Sequence, residues 1–147
     1  MTSATGTLSA KQLEELADAG EVDTVLCMFT DLQGRFMGKR ILPDFFLEEV
    51  LGSEGLHACL YLLAVDMEME PVDGYQYANW ERGYGDFHLV ADMSTLRRCG
   101  WAPGSAMVLC DVRDDANHDL VAVAPRTILR EQIENATRAG FVVEAAS

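Results

Sequence analysis

An α+β fold follows from three observations on the sequence. Short apolar runs rich in strand-forming residues recur along the chain, each bounded by Gly, Pro, Asn or Asp. Helical stretches with recognisable start and stop signals stand among them in no regular strand–helix alternation. The chain is 147 residues long and 49% hydrophobic, enough for one ordinary core. The expected plan is a mixed sheet of five or six short strands with helices packed on it.

Residues 9–19 read as a short amphipathic helix. Ser9 and Gln12 have the spacing of a capping box, Leu13, Leu16 and Ala17 share a face, and Gly20 ends it. The run "DTVLCMFT", 23–30, predicts a strand, and "RFMGKRI", 35–41, predicts its partner. Asp31-Leu32-Gln33-Gly34 is then the turn, with Gly34 free to take positive φ. Pro43 suits the first position of a helix through Leu51, stopped by Gly52, with Phe45, Phe46, Val50 and Leu51 on its buried side. "HACLYLLAV", 57–65, is the most apolar run and predicts a central strand. From Asp66 to Gly85 no clean period exists, but Tyr75, Tyr77, Trp80 and Tyr84 argue against simple disorder. "DFHLVAD" alternates apolar and polar positions. "AMVLCDV", 106–112, and "LVAVA", 119–123, predict two strands joined by the turn "RDDANHD". A long helix runs from Pro125 to just before Gly140, and "FVV" opens a further strand.

Composition removes several classes of function. A formal net charge of −13 opposes nucleic-acid binding, which needs Lys and Arg along the phosphates. No run of about 18 apolar residues is present, so no membrane span is expected. The first residues lack a basic segment followed by an apolar one, so no secretory signal is expected and a cytoplasmic location is. Cys27, Cys59, Cys99 and Cys110 form no C-x-x-C pair and read as free thiols, three of them in strand-like runs. His57, His88 and His118 are scattered along the sequence and predict no metal site. "TDLQGRFMGKR", 30–40, holds a Gly-Lys pair but is no phosphate loop. Only three residues lie between Gly34 and Gly38 where four are required, and Arg40 stands where a hydroxyl is required.

Three strings resemble the glutamine synthetase family: "FTDLQGRFMGKRI" its first hairpin, "GDFHLVADMSTLRRCGWAPGSAMVLCDV" a following block, and "APRTILREQIENATRAG" the Pro-Arg helix that leads into the catalytic domain. They occur in the family's order and at about its spacing, and they cover nearly the whole chain. The flavour is that of glutamate–amine ligases, the γ-glutamylamide synthetase type. The resemblance implies a β-grasp N-terminal domain over residues 1–124. It implies that 125–147 begin a catalytic domain cut short before its Glu-x-Glu metal motif. ATP and Mg2+ or Mn2+ would then belong to the longer enzyme, with none bound to this stretch, and the enzyme would be a large homo-oligomeric ring acting in nitrogen metabolism.

The family reaction phosphorylates the γ-carboxylate of glutamate with ATP, and an amine then attacks the γ-glutamyl phosphate. The amine arrives as a cation and must lose a proton, a task for a nearby carboxylate. The resemblance places that carboxylate at Asp66 and a second aspartate at Asp86, with an active-site tryptophan at Trp80. On their own, Asp66 and Asp86 read as strand-end residues and Trp80 as packing. In the ammonia-using enzymes the first aspartate is followed by Gly-Ser-Ser, whereas here Asp66-Met67-Glu68-Met69-Glu70 follows. The departure points to a larger amine, which Glu68 and Glu70 can attract, although the same pair also reads as a solvated acidic loop. Arg97, Arg98 and Trp101 read as a packing block, and Arg126 as a partner for an acidic neighbour or another subunit. The alternative from another class is a stand-alone β-grasp interaction or regulatory module without catalysis.

Overall fold

The computed structural model describes residues 6–53 and 55–145. Helix α1, Ala10–Asp18, starts as expected. The Ser9 amide donates to Gln12 Oε1 at 2.8 Å and the Gln12 amide donates to Ser9 Oγ at 3.2 Å, closing the capping box. Leu13 is fully buried beneath it.

The sheet has six strands: β1 (Thr24–Thr30), β2 (Phe36–Ile41), β3 (Leu56–Cys59), β4 (Asp86–Ala91), β5 (Arg97–Arg98) and β6 (Ser105–Asp114). Its order is β2-β1-β6-β4-β3, with β5 beside β6. β1 and β6 run parallel, with Thr24 opposite Ser105, and every other pairing is antiparallel. This is the expected α+β arrangement, a mixed sheet with helices against it. The opening hairpin forms as read. Gly34 takes φ +82° in the turn, and Gly38 sits where a Cβ would lie 1.9 Å from the Cys27 carbonyl oxygen. Both glycines thus serve backbone geometry.

Phe29 and Phe87 meet edge to face at the core, with centroids 5.3 Å apart. Phe46, Leu13, Leu89 and Leu96 fill the space around them, all fully buried. Burying each such side chain contributes about 1.5–3 kcal/mol.

Several expectations are corrected. The run 57–65 is not a central strand. β3 ends at Cys59 on the sheet's outer side, and Leu60–Leu63 coil into a 3₁₀ turn as the Leu60 amide donates to the Gly85 carbonyl at 3.0 Å. Leu63, Ala64 and Val65 are apolar because this turn dips into the core, a case that periodicity alone does not separate from a buried strand. The middle of the sheet belongs to β6. The segment 119–123 is a stub: Leu120 bridges to Arg113 and the Val121 amide reaches the Val112 carbonyl, after which the chain turns into helix. The stretch after Pro43 splits into α2, Pro43–Phe45, and a π-helical turn, Phe46–Val50. The wider turn buries Phe46 and Val50 but leaves Phe45 half exposed. Residues 141–143 form no strand and are exposed.

Helix α3, Pro125–Arg138, is fastened to the sheet by charge. Arg126 Nε donates to Asp111 Oδ1 at 2.8 Å, its Nη2 reaches Asp92, and Arg130 Nη2 is bidentate on Asp111. Arg126 therefore has its acidic partners within the chain. Burial works against the Asp111 carboxylate, but the hydrogen bonds from Arg130 and Arg126 outweigh it and hold the carboxyl below its ordinary range. Buried Cys110 is pushed up, first by its hydrogen bond with Cys27 and then by burial; all four cysteines are free. Among the described residues, no helix is long and apolar enough to cross a membrane.

Candidate functional site

The segment between β3 and β4 carries Asp66, Glu68 and Trp80, and Asp86, the fourth residue singled out for chemistry, opens β4 at its end. It divides into two parts. The first is a tight turn from Asp66 to Glu70. Asp66 Oδ1 accepts the Glu68 amide at 3.0 Å and the Glu70 amide at 2.9 Å, while the Asp66 amide donates to the Glu70 carbonyl at 3.0 Å. Met69 takes φ +69° to close the turn. Beyond it, the Val65–Pro71 bridge and the bond from the Val72 amide to the Ala64 carbonyl, 2.8 Å, lead the chain back.

A second element holds this turn from outside. Arg35, just before β2, donates from Nη2 to the Asp66 carbonyl and from Nη1 to the Met67 carbonyl, both at 2.8 Å. Its Nε donates to Asp31 Oδ2 at 2.7 Å. Asp31 is 1% exposed and also accepts the amides of Arg35 at 2.8 Å and Gln33 at 3.0 Å. The hairpin that fails as a phosphate loop is thus the clamp on the Asp66 turn. Sequence reasoning treats Asp31 only as a turn residue and passes over Arg35. The available signal is the Asp/Arg pair at positions i and i+4 flanking a glycine turn, which brings acid and base to one end of a hairpin. One carboxylate oxygen of Asp66 is fixed by backbone amides, and the other has no hydrogen-bond partner among the described residues.

The second part, residues 73–85, is held differently. Trp80 is 74% exposed and meets Tyr84 edge to face at 5.1 Å, and Tyr84 in turn meets Tyr61 at 6.2 Å. Asp73, Tyr75, Asn79, Trp80 and Glu81 line an open cleft of about 450 Å³. Ala78 is buried, and Tyr77 reaches Asp114 Oδ2 at 3.5 Å. Burial, and then the charge of Asp114, push the Tyr77 phenol up to about 12. Asp86 opens β4 opposite Cys59 with its side chain exposed, and Glu68 is exposed as well. No hydrogen bond or ion pair joins Asp66, Trp80 and Asp86 among the described residues.

Trp101 does not pack the domain. It is 63% exposed and lines a cleft of about 360 Å³ with Phe36, Gly38 and Arg40 of β2, the strand at one edge of the sheet. Arg97 and Arg98 are exposed too, and Arg98 pairs with Glu21. The histidines that are scattered in sequence come together. One ring nitrogen each of His57 and His88 and a carboxylate oxygen of Asp115 lie within 4.8 Å of one another.

No protein-family model matches the chain. Among curated proteins it is 45% identical over 140 residues to a γ-glutamylethanolamide synthetase of Streptomyces coelicolor, a match covering 95% of this chain and 30% of that protein. It is 30% identical over 135 residues to a glutamate–isopropylamine ligase of a Pseudomonas species, covering 92% of this chain and 29% of that protein. The chain belongs to the glutamine synthetase family. It spans less than a third of the length of these two relatives. Solved structures share the fold. A glutamine synthase homologue superposes with a TM-score of 0.65 at 20% identity over 80% of this chain and 27% of its own. The GmaS protein in its ADP complex gives 0.59 at 21% identity over 86% of this chain and 26% of its own. The glutamine synthetase resemblance carried by the three sequence strings is therefore correct.

Proposed function

We propose that this chain serves a glutamine-synthetase-like ligase that makes γ-glutamyl amides from glutamate, ATP and an amine by way of γ-glutamyl phosphate, and that residues 1–124 form one wall of its amine site. Residues 125–147 would begin the catalytic domain. The observation that carries the reading is the 45% identity across 95% of the chain to a protein whose name is that of such a ligase. The geometry of Asp66 supports it. A carboxylate with one oxygen fixed by two amides has a set orientation and keeps its other oxygen for an ammonium group or the proton it sheds. Glu68 and Trp80 are exposed on the same connecting segment and Asp86 is exposed where it enters β4, where they can complete the amine's surroundings. Trp80 offers a face to the alkyl part of a substrate larger than ammonia, and Glu68 adds negative charge.

The described residues do not fit Mg–ATP. The Gly34–Gly38 hairpin is engaged in strand pairing, and the metal-type cluster has two imidazoles where a hard cation prefers oxygen donors. ATP and Mg2+ or Mn2+ are therefore assigned to the remainder of the ligase, and no step through them is derived from this stretch. A homo-oligomeric ring, in which one subunit's Asp66 faces another's catalytic residues, belongs to the same proposal.

The test is amine-dependent ADP release by the protein as its gene encodes it, with glutamate and a panel of amines. Ethanolamine, isopropylamine or a polyamine should outperform ammonia. Asp66→Asn keeps the oxygen that caps the turn and removes the charge, so kcat/KM for the amine should fall about 100-fold with the KM for glutamate unchanged. Wild-type kinetics in this variant would remove Asp66 from the site.

A further inference from the structure

A second cluster lies apart from the Asp66 turn. His57 on β3 stands directly opposite His88 on β4 in the strand register, and their rings meet edge to face at 4.5 Å. Asp115, in the turn after β6, places Oδ1 2.9 Å from His88 Nε2. The His118 ring comes within 5.2 Å of the His88 ring. His88 is 1% exposed, while His57 and Asp115 are exposed. The arrangement joins a sheet edge to a loop far away in sequence.

We propose that His57, His88 and Asp115 form a binding site for a single zinc ion. Two imidazoles and a carboxylate are a usual donor set for zinc with a fourth position left to solvent. Ligands about 2.0–2.2 Å from a tetrahedral ion stand about 3.4 Å apart, and these three atoms already lie within 4.8 Å. A shift of about 1 Å by the two exposed side chains closes the difference.

The second observation concerns the buried ring. His88 Nδ1 is buried and has no hydrogen-bond partner among the described residues. With the proton on Nε2, that ring donates to Asp115 and leaves an unpartnered lone pair at Nδ1. Moving the proton to Nδ1 frees Nε2 for an ion and forfeits no bond on the Nδ1 side. The hydrogen bond of the ring is therefore on the side where Asp115 stands, and an ion there would replace the Nε2 proton and keep the carboxylate engaged. Asp114 and Asp119 add negative charge to the same turn. Arg113, opposite His88 on β6, is an adverse charge, but its Nη1 is drawn to the His118 carbonyl at 2.8 Å. Bound zinc would tie the 114–119 turn to the outermost strand of this side of the sheet.

The test uses the purified protein, stripped with a chelator and titrated with zinc by calorimetry and with Co2+ as a spectroscopic probe. His57→Ala and Asp115→Ala alter exposed side chains, so both should fold. Wild type should take up one more zinc equivalent than either variant, or bind that equivalent at least tenfold more tightly. Excess Mg2+ should not displace it, and acidification should, because ligating imidazoles must be neutral. Zinc should raise Tm in the wild type and less in the variants. Equal stoichiometry and affinity in wild type and His57→Ala, or displacement by Mg2+, would overturn the site. The comparison is made between variants and reads no turnover, so it stands or falls separately from the ligase proposal.

Discussion

The two halves of the segment between β3 and β4 are built on opposite principles. The Asp66–Glu70 turn is tied through backbone amides, and the Asp31–Arg35 pair brings a buried charge to hold it. The stretch from 73 to 85 leans on aromatic edges, and its largest side chain, Trp80, stands mostly in solvent. A group that must present a carboxylate in a fixed direction needs the first kind of support. A surface that accommodates the body of a substrate tolerates the second. The difference teaches that Asp66 is positioned by the fold, whereas Trp80 is presented by it.

The strongest challenge to that contrast is Asp31→Ala. It leaves the guanidinium of Arg35 and two amides without their acceptor in a buried site. Breaking a buried pair from one side costs about 3–5 kcal/mol. Chemical denaturation should show a loss of that order. A loss below about 1 kcal/mol would mean that the clamp does not hold the turn and that the two halves are alike.

A smaller effect in the opposite direction is expected at Met69. Its φ of +69° is a conformation that costs a non-glycine residue about 1–2 kcal/mol, partly offset in Met69→Gly by glycine's greater freedom when unfolded. The net gain should be about 0.5–1 kcal/mol in thermal or denaturant melts. Destabilisation would show that the methionine side chain, 39% exposed, packs more than its surroundings indicate.

Tyr77 is the point where the looser half meets the core. Tyr77→Phe removes a long hydrogen bond to Asp114 and should cost about 0.5 kcal/mol near neutrality. The alkaline limb is more informative. The folded-state value of about 12 lies above the ordinary 10.0, so the neutral phenol is favoured by folding. Its contribution is fully present below pH 10 and is lost as pH rises from 10 towards 12. The wild type should therefore lose its advantage over Tyr77→Phe across that window and fall below it. Parallel curves would detach Tyr77 from the core.

Much of the fold was legible because it rests on local rules. Ser9 with Gln12, Gly34 and Gly38, and Pro125 each do what their chemistry dictates. The misread run 57–65 is apolar for a tertiary reason, since it dips under the sheet as a turn, and no periodicity distinguishes that from a strand. The candidate site was legible in part. Asp66 could be singled out only through family resemblance, because an aspartate after a strand is ordinary. The reach of Arg35 to the Asp66 turn and the His57–His88–Asp115 cluster depend on contacts between residues 27 or more positions apart; the Asp31/Arg35 spacing is the one local hint of the first, and nothing local announces the second.

The smallest expected change in stability is at Trp80, and it bears most directly on the contrast. The ring is 74% exposed and meets Tyr84 by its edge, so Trp80→Ala removes little buried area. Substitutions at such surface positions usually stay within about 0.5 kcal/mol. If the ring serves the alkyl part of the amine, the same variant should raise the KM for a large amine several-fold while leaving ammonia turnover and the glutamate KM almost untouched. That pairing of a silent melt with a selective kinetic change is what a presented side chain should give. A melt lowered by more than about 1 kcal/mol would place Trp80 in the scaffold, and equal effects on ammonia and on large amines would remove it from substrate selection.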